Sequence, residues 1–288
     1  MTTPRLYKPR APLRPPTVPP ASLPQLGLDD VRVAAIRDIL QPYLFDDTGL
    51  RTLVCDELRA APAGPRIIEF GCGTGRLTAA MLATRRDAVY HGFERSEPDV
   101  AVAICKLSRQ GLHGGATFTA PFDLDASEIR EALQGLRADF VVLPRFLQTV
   151  PLCATDTALH RVAFLALCRQ LVKPGGRILI IEDVYGEDAD EQTQFSVAWR
   201  TTFRARLTRD LDAVHSALQR LDPNLAGRLG RLPGDPWLVA VLRDCIQKPG
   251  AQILPLSTWQ RTFEQLGLTY DVVRHPTQPQ LCFFTIRC

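Results

Sequence analysis

Ile67-Ile68-Glu69-Phe70-Gly71-Cys72-Gly73-Thr74-Gly75-Arg76 is the stretch that decides how this chain folds. A short apolar run meets an acidic residue, then glycines at 71, 73 and 75, then a sequence able to continue as a helix. A backbone that turns so sharply from strand to helix needs residues that tolerate positive φ and carry no Cβ to block a ligand. Such a turn lies at the carboxyl end of a strand, where open α/β sheets bind nucleotide-like ligands. The dinucleotide fingerprint G-x-G-x-x-G would need glycine at position 76, and Arg76 stands there instead.

Working outward, the chain alternates. Strand 66–70 leads to helix 75–85, and strand 88–93 to a helix over 97–110 that Ser96 caps, with Pro98 in its first turn. A strand near 116–119 is followed by helix 126–136, then the apolar run 139–143 and helix 155–172. Lys173-Pro174-Gly175-Gly176 stops that helix and turns the chain into strand 177–182. Strands without polar alternation are buried on both faces of a parallel sheet, and strand–helix repeats of this length make a doubly wound α/β sheet. Two helices precede the alternation, from Asp29 to Leu40 and from Thr48 to Ala60. Residues 185–252 break the rhythm with helical segments at 191–220 and 236–246. It resumes with a helix opened by a capping box of Ser257 and Gln260, then strands 270–273 and 281–286 around the turn Pro276-Thr277-Gln278-Pro279.

Glu69-x-Gly71-x-Gly73-x-Gly75 resembles motif I of the class I S-adenosylmethionine-dependent methyltransferases, and the element order resembles their fold. The resemblance spans residues 65–184 and 253–288. It implies a doubly wound, mostly parallel seven-stranded sheet of Rossmann-like type, with an antiparallel last strand and a helical cap. The chain then divides into a disordered, basic, proline-rich tail (1–25), N-terminal cap helices (26–64), a donor-binding core (65–184), a helical substrate-cap insertion (185–252) and the end of the core sheet (253–288).

The resemblance also assigns residues. Glu94, about 20 residues past the glycine turn, is placed to take both ribose hydroxyls of S-adenosylmethionine. Glu69, Gly71, Cys72, Gly73, Gly75, Arg95 and Phe146 complete the donor site. Asp123 is the candidate for the adenine amino group and Phe122 for stacking on the ring; either is equally able to cap the next helix. At the end of the fourth strand, Gln148 stands where many small-molecule members have histidine. A glutamine orients an acceptor but is no base near neutral pH. Arg145 is placed either to hold an acceptor's carboxylate or phosphate or to pair with an acid such as Asp183. His215, inside the insertion, is the histidine best placed to act as a base.

Absent signals narrow the chemistry. The fourth strand lacks Asn/Asp-Pro-Pro-Tyr/Phe, which disfavours amino-group methylation of adenine bases or glutamine side chains, and it lacks a Pro-Cys nucleophile for C5-pyrimidine chemistry. The five histidines make no metal spacing, and no metal is expected. Eight scattered cysteines read as reduced thiols of a cytoplasmic protein. No run reaches the roughly 18–20 apolar residues of a membrane span. A net charge of +3 is small for a nucleic-acid partner. The expectation is methyl transfer to an oxygen or nitrogen of a small molecule by in-line displacement, leaving S-adenosylhomocysteine. Two readings compete with it: an RNA or protein methyltransferase docking through the tail and the arginines at 200, 204, 206 and 209, and a non-catalytic donor-binding scaffold. Phe195, Trp199, Phe203 and Trp237 either line an apolar acceptor pocket or pack the cap onto the sheet.

Overall fold

The computed structural model describes residues 30–44, 48–122, 131–150, 160–185, 209–221, 253–276 and 280–288, with the single positions 205, 223 and 278. The strands are β1 (Arg66–Phe70), β2 (Val89–Phe93), β3 (Ala116–Thr119), β4 (Ala138–Pro144), β5 (Val172–Tyr185), β6 (Leu254–Pro255), β7 (Thr269–Arg274) and β8 (Leu281–Arg287). The helices are α1 (Asp30–Leu44), α2 (Thr48–Arg59), α3 (Arg76–Thr84), α4 (Glu97–Arg109), α5 (Arg161–Leu171), α6 (Leu211–Leu221) and α7 (Leu256–Gln265).

One continuous sheet runs in the order β3-β2-β1-β4-β5-β8-β7, with the two-residue β6 pairing only with β5. β1 to β5 pair in parallel, while β8 is antiparallel to both of its neighbours. The expected mostly parallel sheet with an antiparallel last strand is therefore what forms. Each buried strand feeds two cores because its side chains alternate. Ile68, Phe70, Val141, Ile178 and Ile180 face one core with α5 and α7, where Phe164, Trp259 and Phe263 pack. Ile67, Val142, Leu179 and Ile181 face the other, against Val54 and Leu58 of α2, Met81 of α3 and Leu107 of α4. Outside this second layer α1 packs on α4 and α6.

Two local expectations are corrected. Residues 173–176 do not leave the sheet: the helix stops at Leu171 and β5 begins at Val172, with a register shift against β4 between Ala138 and Phe140. The segment stays in the sheet because the last residue ties it down, Gly175 N–H donating to the Cys288 carbonyl at 2.9 Å and Cys288 N–H to that of Gly176 at 3.1 Å. The capping box of Ser257 and Gln260 does not form either. α7 starts two residues earlier, after Pro255, with no side-chain cap. Ser96 does cap α4, its hydroxyl accepting the Asp99 N–H at 3.3 Å. The tail, the first part of helix 126–136, the first part of helix 155–172 and most of the insertion lie outside the described residues. So do Phe195, Trp199, Phe203, Trp237, Arg200, Arg204 and Arg206. No helix among the described residues is long and apolar enough to cross a membrane.

Trp259 shows where one core is tightest. It is fully buried, beside Phe263 and Phe284, with the Arg161 guanidinium 4.8 Å above its ring. Trp259→Ala should cost about 3–5 kcal/mol, measurable by denaturant unfolding of the two proteins side by side.

Candidate active site

Ile67 and Ile68 hold β1 at the middle of the sheet, so the chain emerges at its carboxyl edge with little freedom. Gly71, Gly73 and Gly75 take φ of 77°, 51° and 74°, a region costly for residues with a Cβ. Their reasons differ. A Cβ on Gly71 would lie 2.8 Å from the Phe146 ring, and one on Gly75 would lie 2.7 Å from the Ala103 Cβ on α4. A Cβ on Gly73 would meet no protein atom within 4 Å. The first and third glycines thus let the protein close on itself, and the second leaves a cradle open.

Glu94 follows directly on β2, facing that cradle. One carboxylate oxygen accepts the Gly73 N–H at 2.8 Å; the other accepts those of Arg95 and Ser96 at 2.8 and 3.1 Å. A carboxylate offers about four lone-pair sites, so one is left for an incoming hydroxyl, and a grip on two hydroxyls requires one N–H to yield. Arg95 is exposed and joins through its backbone. Phe122 is only 6% exposed, its ring tilted against those of Phe70 and Phe93 in the core, with its N–H on the Glu94 carbonyl at 2.9 Å. Asp123 lies outside the described residues.

Glu69 is turned away from the opening. It is fully buried beneath α3, one oxygen accepting the hydroxyls of Thr78 at 2.7 Å and Tyr90 at 2.6 Å, while the other has no partner. Burial pushes its carboxyl up to about 7 against the pull of those two hydroxyls. Cys72 is buried beside it, its thiol raised well above the ordinary range by burial and by the two nearby glutamates. It fills space as a protonated thiol.

The end of β4 forms a second centre. Arg145 takes a left-handed φ of 53°, and its N–H donates to the Ile181 carbonyl at 2.6 Å. Its guanidinium sits 3.4 Å from Asp183, so of the two roles open to it the structure displays the ion pair. Phe146 rests over Gly71 and against Phe70 and Phe164. Gln148 is buried, its amide nitrogen donating to the Arg145 carbonyl at 3.1 Å. Beneath the turn lies Glu182, a residue the sequence reading passed over. It accepts the N–H groups of Leu147 at 2.6 Å and Gln148 at 3.3 Å, and its second oxygen is buried without a partner among the described residues. Burial, with Asp183 adding to it, lifts its carboxyl to about 8, only partly opposed by Arg161 and those N–H groups. The signal was present: an acid closing the otherwise apolar run 178–181 of a strand buried on both faces needs a reason. His215 is not part of this turn's hydrogen bonding. It lies on α6, which packs on α1, with Nε2 buried and lacking a hydrogen-bond partner among the described residues.

A glycine turn after β1 and an acid after β2, on a sheet that inserts an antiparallel last strand, define a class of protein. Residues 68–178 match the family described as "Methyltransferase domain". The Ubiquinone biosynthesis O-methyltransferases of Pseudomonas aeruginosa and Pseudomonas paraeruginosa are each 31% identical over 137 residues, 48% of this chain and 52% of theirs. The chain therefore spans about half the length of the curated relatives it matches. Among solved structures, an O-methyltransferase family protein from Burkholderia thailandensis superposes with a TM-score of 0.54 at 16% identity, covering 87% of this chain and 59% of that one. A SAM-dependent methyltransferase from Aquifex aeolicus gives 0.50 at 13% identity, covering 90% and 98%. Over residues 68–178 the chain is thus similar to the S-adenosylmethionine-dependent methyltransferases, and its sheet has their Rossmann-like fold.

Two predictions come from this geometry. Gly73→Ala and Gly75→Ala share a left-handed strain of about 1–2 kcal/mol, and only the second adds overpacking of about 1–3 kcal/mol against α4. Denaturant melts should rank Gly75→Ala clearly below Gly73→Ala. The other concerns Glu182, which holds its proton up to about 8 when folded, against an ordinary value of 4.5. Between those values the folded state carries the extra proton, so this group's stabilisation is complete below the lower one and is lost as pH rises through the upper. Glu182→Gln removes the titration. Its stability relative to the unsubstituted protein should rise between about pH 5 and about pH 8; a constant difference would mean that Glu182 is already ionised.

Proposed function

We propose that this protein transfers the methyl group of S-adenosylmethionine to an oxygen or nitrogen of a small molecule. The observation that carries the reading is the cradle at Gly73: a backbone opening that a Cβ would fill without touching protein, beside the Glu94 carboxylate. Glu94 suits a vicinal diol, and the glycines let the donor approach the main chain. When bound, the donor supplies a methyl group activated by its sulfonium. The residues then need only align an acceptor and exclude water, worth roughly 7–11 kcal/mol when orientation is good.

The turn after β4 is the acceptor side of this reading. Arg145 and Gln148 are fixed from behind, Arg145 by Asp183 and Gln148 by the Arg145 carbonyl. Glu182 touches no solvent and acts as a positioning residue through the two N–H groups it holds. His215 remains the candidate base on the cap side. The names of the curated relatives support an oxygen acceptor, and the six described cysteines, all free thiols, support a reducing, cytoplasmic setting.

Calorimetric titration with S-adenosylhomocysteine tests the donor assignment. The protein should bind it at micromolar levels, Glu94→Ala should weaken that binding by about tenfold or more, and Gly73→Ala should block it. Gln148→Ala should leave donor affinity intact while lowering kcat by up to about a hundredfold on whichever acceptor a labelled-methyl screen identifies. Absence of binding to both S-adenosylmethionine and S-adenosylhomocysteine would sink the reading in favour of a scaffold that has lost the donor.

A further inference from the structure

Thr74, between the second and third glycines, is gripped from outside the sheet. Its hydroxyl donates to an Asp38 carboxylate oxygen on α1 at 2.8 Å. That same oxygen accepts from the Lys106 ammonium on α4 at 2.6 Å, and Lys106 also donates to the Thr74 carbonyl at 2.8 Å. The three bonds close a ring that fastens one residue of the glycine turn by both its side chain and its main chain. Thr74 is 7% exposed, and the side chains of Lys106 and Asp38 are 18% and 19% exposed, so water competes little for these groups. Burial pushes the Lys106 ammonium down, and Asp38 beside it opposes that shift. A second link from α1 to α4, Arg37 to Asp99 at 3.0 Å, lies one residue away and does not touch the turn.

A turn with three glycines at positive φ has more freedom to lose than one built of other residues. Left loose, it would order itself at the expense of ligand affinity; held in advance, it contributes that ordering to binding. We propose that Asp38 and Lys106 are positioning residues for the methyl donor. Their ring around Thr74 sets the peptide planes on either side of it, and with them the opening at Gly73 and the N–H that Gly73 gives to Glu94. Donor affinity therefore depends on a helix that precedes the sheet by more than twenty residues. Because α1 also packs on α6, the ring joins the donor turn to the helices outside the sheet. The proposal rests on the donor reading above.

The test is titration of the full chain with S-adenosylhomocysteine, with a thermal melt of every variant. Asp38→Asn and Lys106→Met should each weaken binding by about tenfold, the change expected for losing a hydrogen bond between charged groups, and the double variant should be little worse than either alone. Arg37→Gln severs only the neighbouring link between α1 and α4, so it should lower Tm yet keep affinity within about twofold. Thr74→Val, which loses only the hydroxyl, should also weaken binding, and Thr74→Ser should restore it; this pair carries the test if Asp38→Asn fails to fold. Unchanged affinity in Asp38→Asn, Lys106→Met and Thr74→Val overturns the proposal. So does an equal loss in Arg37→Gln, which would mean that α1 merely anchors the fold. If the unsubstituted protein binds no S-adenosylhomocysteine, the donor reading itself fails and this proposal with it.

Discussion

The N–H of Gly73 points at the Glu94 carboxylate, 2.8 Å away, and much of the architecture is arranged so that it can. That bond joins the ends of two adjacent parallel strands, whose register pairs Glu69 with Gly92 and Phe70 with Phe93. Two further bonds, from the Gly71 and Cys72 N–H groups to the Phe93 carbonyl at 2.7 and 3.4 Å, stitch the same gap. For these amides to converge, the backbone must take left-handed angles at alternate positions, which only glycine does at low cost. For the turn to stay close to the strands, α4 must cross at Ala103, where nothing larger than hydrogen fits on Gly75. The opening at Gly73 and the packing of α4 thus constrain the same few residues.

Aromatic residues at the strand ends and on α5 pack together beneath the turns. Phe70, Phe93, Phe122, Phe146 and Phe164 form one connected set, with neighbouring centroids 4.7–5.8 Å apart. Each buries a large apolar area, and their offset and edge contacts give the layer shape as well as adhesion. Phe122 fixes the segment after β3 to this layer, and Phe146 fixes the turn after β4 over Gly71. The loops that carry polar groups are held by rings beneath them, so rigidity at the site comes from the core.

What the sequence reveals follows from how local each signal is. The strand–glycine–helix turn, the acid after β2 and the Ser96 cap are short-range patterns with one physical solution, and they appear where the pattern puts them. The role of residues 173–176 misled because a Pro-Gly-Gly run normally leaves a sheet, and the bonds that keep it inside come from Cys288, over a hundred positions away. The capping box failed for a similar reason: α7 begins where β6 ends, so pairing of Leu254 with Val184 sets the boundary before a cap can. Arg145 left two roles open because the partner that decides between them, Asp183, stands on another strand. Asp38 and Lys106 gave no signal at all, since each is an ordinary charged residue of an amphipathic helix until α1 and α4 meet at Thr74.

Glu69 and Glu182 complete the picture, because each is a fully buried acid with one oxygen engaged and the other bare. An ionised carboxylate in that setting loses its hydration without full replacement, a penalty larger than the bonds it accepts can return. Placing the proton on the bare oxygen removes the charge and keeps the engaged oxygen as an acceptor. That is why both carboxyls rise towards neutrality, to about 7 and about 8, although each receives two hydrogen bonds that favour the ion. Their positions give this chemistry a purpose. Glu69 accepts from Thr78 and Tyr90, so it binds α3 to β2 beneath the glycine turn. Glu182 accepts from Leu147 and Gln148, so it binds the β4 turn to β5 on the other side of the sheet. A neutral acid can brace each turn without setting a full negative charge beneath the cleft.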